Sequence, residues 1–198
     1  WHLLPNVAQL LVDDGLSLDH HYTYRVCAPT RRSLLSGRLP LHISTSNTNC
    51  PGIPTQMATI ADTLKGAGYR TAFIGKWNVG LANTEHMPWR RGFDASLGFL
   101  KHATDHYQHA AEDSTRTPAQ YENQPKPLDF FRADLSETLI DVDTIFDVRR
   151  HGPRFSGVYS TELYSAKAVR HIRGHAPTAA SVPLFMYLAF SAPHMPHQ

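Results

Sequence analysis

Thr55-Gln56-Met57-Ala58-Thr59-Ile60-Ala61-Asp62-Thr63-Leu64-Lys65-Gly66-Ala67-Gly68-Tyr69-Arg70-Thr71-Ala72-Phe73-Ile74-Gly75-Lys76-Trp77-Asn78 passes from one structural period to another. Met57, Ile60, Ala61 and Leu64 share one face at helical spacing, and Gly68 ends the run, which predicts a helix over 55–67. Tyr69 to Ile74 then reads as a buried strand. The same alternation continues on both sides. Upstream, Leu4, Val7, Leu10 and Leu11 with Pro5 and Gly15 predict a helix from Pro5 to Asp14. Leu16 to Tyr22 alternates and is expected to form a strand leading towards Cys27. Downstream, Asp105 to Phe131 is polar, contains Pro118, Pro125 and Pro127, and reads as a long surface excursion of the kind that shapes clefts. Ser160 or Thr161 caps a helix with Leu163, Ala166, Val169 and Ile172 inward, and Leu184 to Phe190 reads as an apolar strand. Helices alternating with strands imply an α/β fold with at least partly parallel strands, and no internal repeat interrupts it.

With 198 residues, 41% hydrophobic and 18% charged, the chain has enough apolar material for one sizeable core. Nineteen Lys and Arg against seventeen Asp and Glu leave a formal charge of +2 with no run of one sign, which argues against a nucleic-acid partner or a membrane-surface helix. No apolar stretch reaches the length of a membrane span, and Trp1 to Val7 carries neither an initiating Met nor a signal-peptide core, so the natural N-terminus is expected elsewhere. Cys27 and Cys50 have no CxxC partners, so neither a zinc knuckle nor a disulfide framework is supported.

Cys27-Ala28-Pro29-Thr30-Arg31, followed by Leu34-Leu35-Ser36-Gly37-Arg38, is the most informative chemical stretch. A cysteine phosphatase needs an arginine six positions after its cysteine, and Ser33 stands there. A lone buried cysteine is more often a small hydrophobe than a reactive group, and the surrounding Pro, Arg and Gly-Arg pattern reverses that reading. The segment resembles the modification signature of the formylglycine-dependent sulfatases, C-x-P-x-R followed by a hydrophobic pair and a glycine, with Ser36 where Thr or Ala is more usual. The resemblance implies that Cys27 is oxidised by the formylglycine-generating enzyme to formylglycine. Its hydrate carries two hydroxyls, one to attack sulfur and one to expel sulfate. Arg31 would hold the hydrate and offset developing negative charge.

Gly68-Tyr69-Arg70-Thr71-Ala72-Phe73-Ile74-Gly75-Lys76-Trp77-Asn78 is similar to the second signature of that family, G-Y-x-T-x-x-x-G-K-W-H. By resemblance Lys76 neutralises a sulfate oxygen. Asn78 replaces the histidine that takes the proton from the second hydroxyl; an amide can orient that hydroxyl but cannot act as a base. Arg91-Gly92-Phe93-Asp94 continues the pattern, and with Leu18 to Tyr22 it is most similar to the arylsulfatase B branch.

Sulfatases bind a divalent cation, usually calcium, through an Asp pair. Asp13-Asp14 is too close to Cys27 for that role and reads as a solvated helix end, so the calcium ligands are expected mostly outside this chain and no metal ligand is assigned within it apart from the modified Cys27. Ala192-Pro193-His194-Met195-Pro196 resembles the family's A-x-H-x-P element, which makes His194 the histidine that binds the substrate sulfate or its leaving-group oxygen. His102, His106 and His109 fall on one face if helical, where a solvated face or cleft wall is favoured over a transition-metal patch, and His42 has no assigned role. The resemblance thus implies an alkaline-phosphatase-like catalytic domain, partial over 1–198, with a mixed, mostly parallel sheet flanked by helices. It would hydrolyse the sulfate ester of a sulfated small molecule or carbohydrate in the secretory pathway, lysosome or extracellular space. Cys27, Arg31, Lys76, Asn78 and His194 form the expected site. The alternative is a catalytically inactive sulfatase-like binding protein.

Overall fold

The structure, a computed structural model, describes residues 5–13, 15–47, 51–111, 129–134, 139–141, 157–175 and 181–194. Asp14, Cys50 and the segment with Pro118, Pro125 and Pro127 lie outside these residues, as do Met195 and Pro196.

The central helix starts later than its apolar spacing implies. Thr59 and Asp62 form a reciprocal capping box, Thr59 N donating to Asp62 Oδ2 at 2.8 Å and Asp62 N to Thr59 Oγ1 at 3.2 Å. That box sets the boundary, so the helix runs over Ile60–Gly66 and Thr55 to Ala58 remain outside it. Strand β1, Arg70–Lys76, follows as expected and is buried after its first residue. It is flanked by β2 (Ala95–Phe99) and β5 (Leu184–Ala189), both parallel to it. Antiparallel β3 (Phe131–Asp134) and β4 (Leu139–Asp141) extend the sheet in the order β4-β3-β2-β1-β5. The helices are α1 (Pro5–Val7), α2 (Cys27–Ser36), α3 (Ile60–Gly66) and α4 (Ser160–His175).

Successive residues of β1 face opposite ways. Phe73 enters a cluster with Leu35 of α2, Ala61 of α3, Trp77, Phe93 and Phe131, whereas Ile74 enters another with Leu97, Phe99 and Tyr164 and Ala168 of α4. Helices therefore cover both faces of β1, as a near-continuous apolar strand requires.

Three expectations are corrected. Pro5–Val7 continues as a π-helical segment, Ala8–Asp13, but it buries no residue; Leu10 and Leu11 are exposed, so their spacing marks a helix without marking a core face. Leu16 to Tyr22 forms no strand: it has no pairing partner among the described residues, turns at Asp19-His20, and leaves Leu16, Leu18 and Tyr22 exposed. In α4 the buried positions are Ser160, Tyr164, Ala168 and His175, while Ala166, Val169 and Ile172 are exposed and Leu163 is partly buried. The large ring of Tyr164 anchors that stripe, and its polar members are invisible to an apolar count.

Asp94 joins α3, β1 and the start of β2. Lys65 Nζ lies 2.7 Å from its Oδ1, and Thr71 N and Oγ1 donate to its Oδ2 at 3.0 and 3.1 Å. Burial pushes its pKa up, but the Lys65 and Thr71 contacts outweigh this and hold it below the ordinary carboxylate value. A depressed native pKa contributes stability above the unfolded value, about 3.9, and loses it as pH falls through the native one. Urea unfolding across a pH series should therefore show Asp94→Asn destabilised by about 1–2 kcal/mol at neutral pH, with the gap closing in acid below about pH 3. A gap independent of pH would refute the linkage.

Candidate active site

Cys27 opens α2, so it sits at the positive end of a ten-residue helix whose N-cap, Val26, offers no side-chain cap. Two carboxamides hold its sulfur. Cys27 Sγ donates to Asn47 Oδ1 at 3.3 Å, and Asn78 Nδ2 donates to Cys27 Sγ at 3.3 Å. Asn47 Oδ1 also accepts from Ala28 N at 3.1 Å, so one oxygen caps the helix and fixes the thiol. The segment carrying Asn47 is in turn gripped from below: fully buried Arg32 donates through Nη1 to Ser44 O at 3.0 Å and through Nη2 to Ser46 O at 2.9 Å. Gly37 ends α2 at φ 68, a left-handed C-cap whose N–H donates to Ser33 O at 2.8 Å. The glycine of the cysteine motif is thus a helix terminator.

Arg31 lies one turn further along α2. Its Nε donates to Trp77 O at 2.8 Å, and its guanidinium carbon stands 5.3 Å from the centre of the Tyr187 ring on β5. Its Nη2 is buried with no hydrogen-bond partner among the described residues. A buried guanidinium donor left open in this way suits an anion. Lys76, at the carboxyl end of β1, is 5% exposed. Its neighbour Gly75 has φ 111, and a Cβ there would collide with the Ala189 carbonyl oxygen of β5. Glycine is required for β5 to pass this closely.

Asn78 is 1% exposed and occupies the left-handed region at φ 50, which asparagine tolerates better than most residues. Trp77 N and Asn78 N donate to Phe99 O and Leu100 O at 2.9 and 3.1 Å, so the chain beyond β1 stays bonded to the chain beyond β2 while the Asn78 side chain reaches Cys27. Cys27, Arg31 and Asn78 therefore meet beside the carboxyl end of β1, the strand whose last residue is Lys76, and this is the end at which open α/β sheets place their ligands.

His194 is exposed in the turn after β5, at that same end of the sheet. Its N–H donates to Ser191 O at 2.8 Å, and its carbonyl lies 3.4 Å from His106 Nε2, whose other ring nitrogen is 2.8 Å from Ser160 Oγ. This link runs through the backbone of His194, not its ring. His106 and His109 are each 2% exposed, so the solvated histidine face is corrected: these rings pack under the 104–111 segment against Tyr159 and Phe130. His42 is exposed. Asn47, Arg32 and Tyr187 are site residues that no motif pointed to.

Among the described residues no group of three or more His, Cys, Asp and Glu is arranged to hold a metal. The groups shown around Cys27 are the Arg31 guanidinium and two carboxamides, a set that offers no carboxylate, whereas calcium needs six to eight oxygens. The described residues do not by themselves fit calcium.

A family model described as Sulfatase matches residues 1–198. Arylsulfatase J of Mus musculus is 29% identical over 197 residues, covering 95% of this chain and 28% of that protein. Arylsulfatase G of Canis lupus familiaris is 30% identical over 205 residues, covering 96% of this chain and 36% of that protein. Among solved structures, PsFucS1 sulfatase from Pseudoalteromonas sp. superposes with a TM-score of 0.68 at 22% identity, over 96% of this chain and 38% of that one. The structure of Ps i-CgsB in complex with k-i-k-neocarrahexaose superposes with a TM-score of 0.59 at 27% identity, over 86% of this chain and 35% of that one. The chain thus spans about a third of the length of these relatives. Its sheet and flanking helices are the alkaline-phosphatase-like α/β fold. With the match running from the first residue to the last, the chain belongs to the sulfatase family.

Proposed function

We propose that the protein hydrolyses sulfate esters through a formylglycine made from Cys27. The observation that carries this reading is the setting of Cys27, at a helix N-terminus between Asn47 and Asn78, with the open Nη2 of Arg31 one turn away. One hydroxyl of the hydrated aldehyde attacks sulfur, the S–O bond to the alcohol breaks, and the alcohol leaves with a proton. Deprotonation of the second hydroxyl re-forms the aldehyde and expels sulfate, and water restores the hydrate. Arg31 and Lys76 offset the charge on the transferring sulfate, which in a site of low polarity is the largest contribution a protein can make. His194 donates to the leaving oxygen. Calcium belongs to this reading only as an expectation for the family.

A sulfated carbohydrate is the favoured substrate class, supported by the relative solved with a bound neocarrahexaose. The formylglycine-generating enzyme is the maturation partner, which places the protein in the secretory pathway, bound for the lysosome or the cell exterior. Among the described residues no helix is long and apolar enough to cross a membrane.

Mass spectrometry of the Cys27 peptide, from the protein made in a host with the maturation enzyme, is expected to show the aldehyde. Unmodified thiol alone would overturn the assignment. Asn78 supports one rival, a sulfatase-like binding protein without turnover, because a carboxamide cannot take a proton. Formylglycine present with no hydrolysis of any sulfate ester, but with saturable binding, would establish that rival.

A further inference from the structure

The two carboxamides that touch the sulfur of Cys27 are not equivalent. Asn47 Oδ1 lies 3.1 Å from Ala28 N, and a backbone N–H can only donate, so the atom facing it is the amide oxygen and not the nitrogen. The same oxygen lies 3.3 Å from Cys27 Sγ, which makes the thiol the donor towards Asn47. Asn78 meets that sulfur through Nδ2, also at 3.3 Å, and is itself the donor. Cys27 thus gives its hydrogen to Asn47 and receives one from Asn78.

Asn47 is brought to this position from outside the cysteine helix, across 20 positions of sequence. The segment before it is neither helix nor strand, yet its course is fixed: buried Arg32 holds the carbonyls of Ser44 and Ser46, and Ser46 N donates to Ser44 Oγ at 3.2 Å. A helix start is capped more simply by a Ser, Thr, Asp or Asn at the N-cap itself, where Val26 stands. Capping from a distance adds one thing that a local cap does not supply here, an acceptor aimed at the Cys27 side chain.

Both hydroxyls of the hydrated aldehyde sit on the carbon that now carries Sγ, and one of them takes the place of the sulfur between the two amides. That hydroxyl donates to Asn47 and has a lone pair committed to Asn78, which makes it the poorer nucleophile. The other is left to attack sulfur. We propose that Asn47 orients the hydroxyl retained after that attack: its Oδ1 accepts the hydrogen and holds the O–H in one direction until sulfate leaves. This role rests on the hydrolytic reading of Cys27. It assigns the acceptor to position 47 and leaves Asn78 as a donor, so the proton that must be lost for sulfate to depart points at Asn47.

The test is Asn47→Asp. Aspartate caps helices as well as asparagine does, so the start of α2 is preserved, and it adds what the amide lacks, the capacity to take a proton. In the variant the carboxylate takes the hydroxyl proton as the C=O bond re-forms and the bond from that carbon to the sulfated oxygen breaks, releasing sulfate. Rapid mixing with 4-nitrophenyl sulfate separates transfer, read as the burst, from breakdown, read as the steady rate, both per mole of aldehyde counted by mass spectrometry of the Cys27 peptide. Asn47→Asp is expected to raise the steady rate about tenfold with the burst rate constant unchanged, a smaller gain than an imidazole gives because a carboxylate is the weaker base. Asn47→Ala, without the acceptor, is expected to lower the steady rate about fivefold, the worth of one hydrogen bond, again without changing the burst rate constant; where Asn47→Asp carries no aldehyde, this variant decides by the same split. A cap and nothing more would leave Asn47→Asp equal to the parent and slow both phases in Asn47→Ala. That result, in a parent that turns over, overturns the role of Asn47 alone. No turnover in any of the three proteins, with aldehyde present, overturns the hydrolytic reading and this role with it, whereas turnover in Asn47→Asp where the parent has none supports both.

Discussion

Lys76→Met is expected to lower kcat/KM for a sulfate ester by about 10²- to 10³-fold, the effect of deleting one preorganised group at a developing charge. Methionine keeps most of the aliphatic stem inside the buried end of β1, so packing changes little while the charge disappears. Arg31 is the less clean probe, because it belongs to the Cys27, Pro29 and Arg31 core that resembles the maturation signature, and its loss would confound conversion of Cys27 with catalysis. It would also strip Trp77 O of its donor at 2.8 Å. Lys76 lies outside that core, and mass spectrometry of the Cys27 peptide in the variant should show undiminished aldehyde. If Lys76 acts mainly on the transferring sulfate, kcat and kcat/KM fall together. A change in KM alone would make Lys76 a ground-state binding group, and an unchanged kcat/KM would remove it from the site.

The chemistry of the site was more legible than its framework. Cys27, Arg31, Lys76 and Asn78 stand in contiguous motifs whose spacing is dictated by the helix and strand that carry them, and the structure brings these segments together. Asn47 was hidden because its role depends on tertiary placement: it sits in a polar segment without period, and only the buried Arg32 fork to Ser44 and Ser46 carries it to Cys27. Tyr187 read as one more apolar residue in a strand. Its use as a platform for Arg31 follows from the β1 to β5 register, in which Phe73 lies opposite Tyr187. Strand β3 begins at Phe131, where the expected polar excursion ends, and no strand was read there, since four residues, two of them charged, carry too little alternation to be read. Leu16 to Tyr22 shows the converse: alternation is necessary for a half-buried strand, but it is realised only where a neighbouring edge exists to pair with.

Restoring histidine at position 78 is expected to speed release of sulfate far more than its transfer. Asn78 Nδ2 lies 3.3 Å from Cys27 Sγ, so its side chain is within reach of the carbon that would bear both hydroxyls, and as a carboxamide it can orient them without accepting a proton. The first hydroxyl attacks sulfur; only the second must lose its proton for the intermediate to collapse. The natural protein should therefore accumulate sulfated enzyme, and rapid mixing should show a burst of released alcohol followed by a slow steady rate. In Asn78→His the steady rate should rise by about 10²-fold, the lower range for a positioned general base, and the burst should shrink as breakdown ceases to limit. The backbone permits this test: φ 50 lies in a region that histidine, like asparagine, enters more readily than most side chains. A burst that persists at full amplitude in the variant would mean that the imidazole cannot reach the second hydroxyl. No burst in either protein, with equal steady rates, would mean that another group already takes that proton, leaving Asn78 to orient the hydrate as it now orients the thiol.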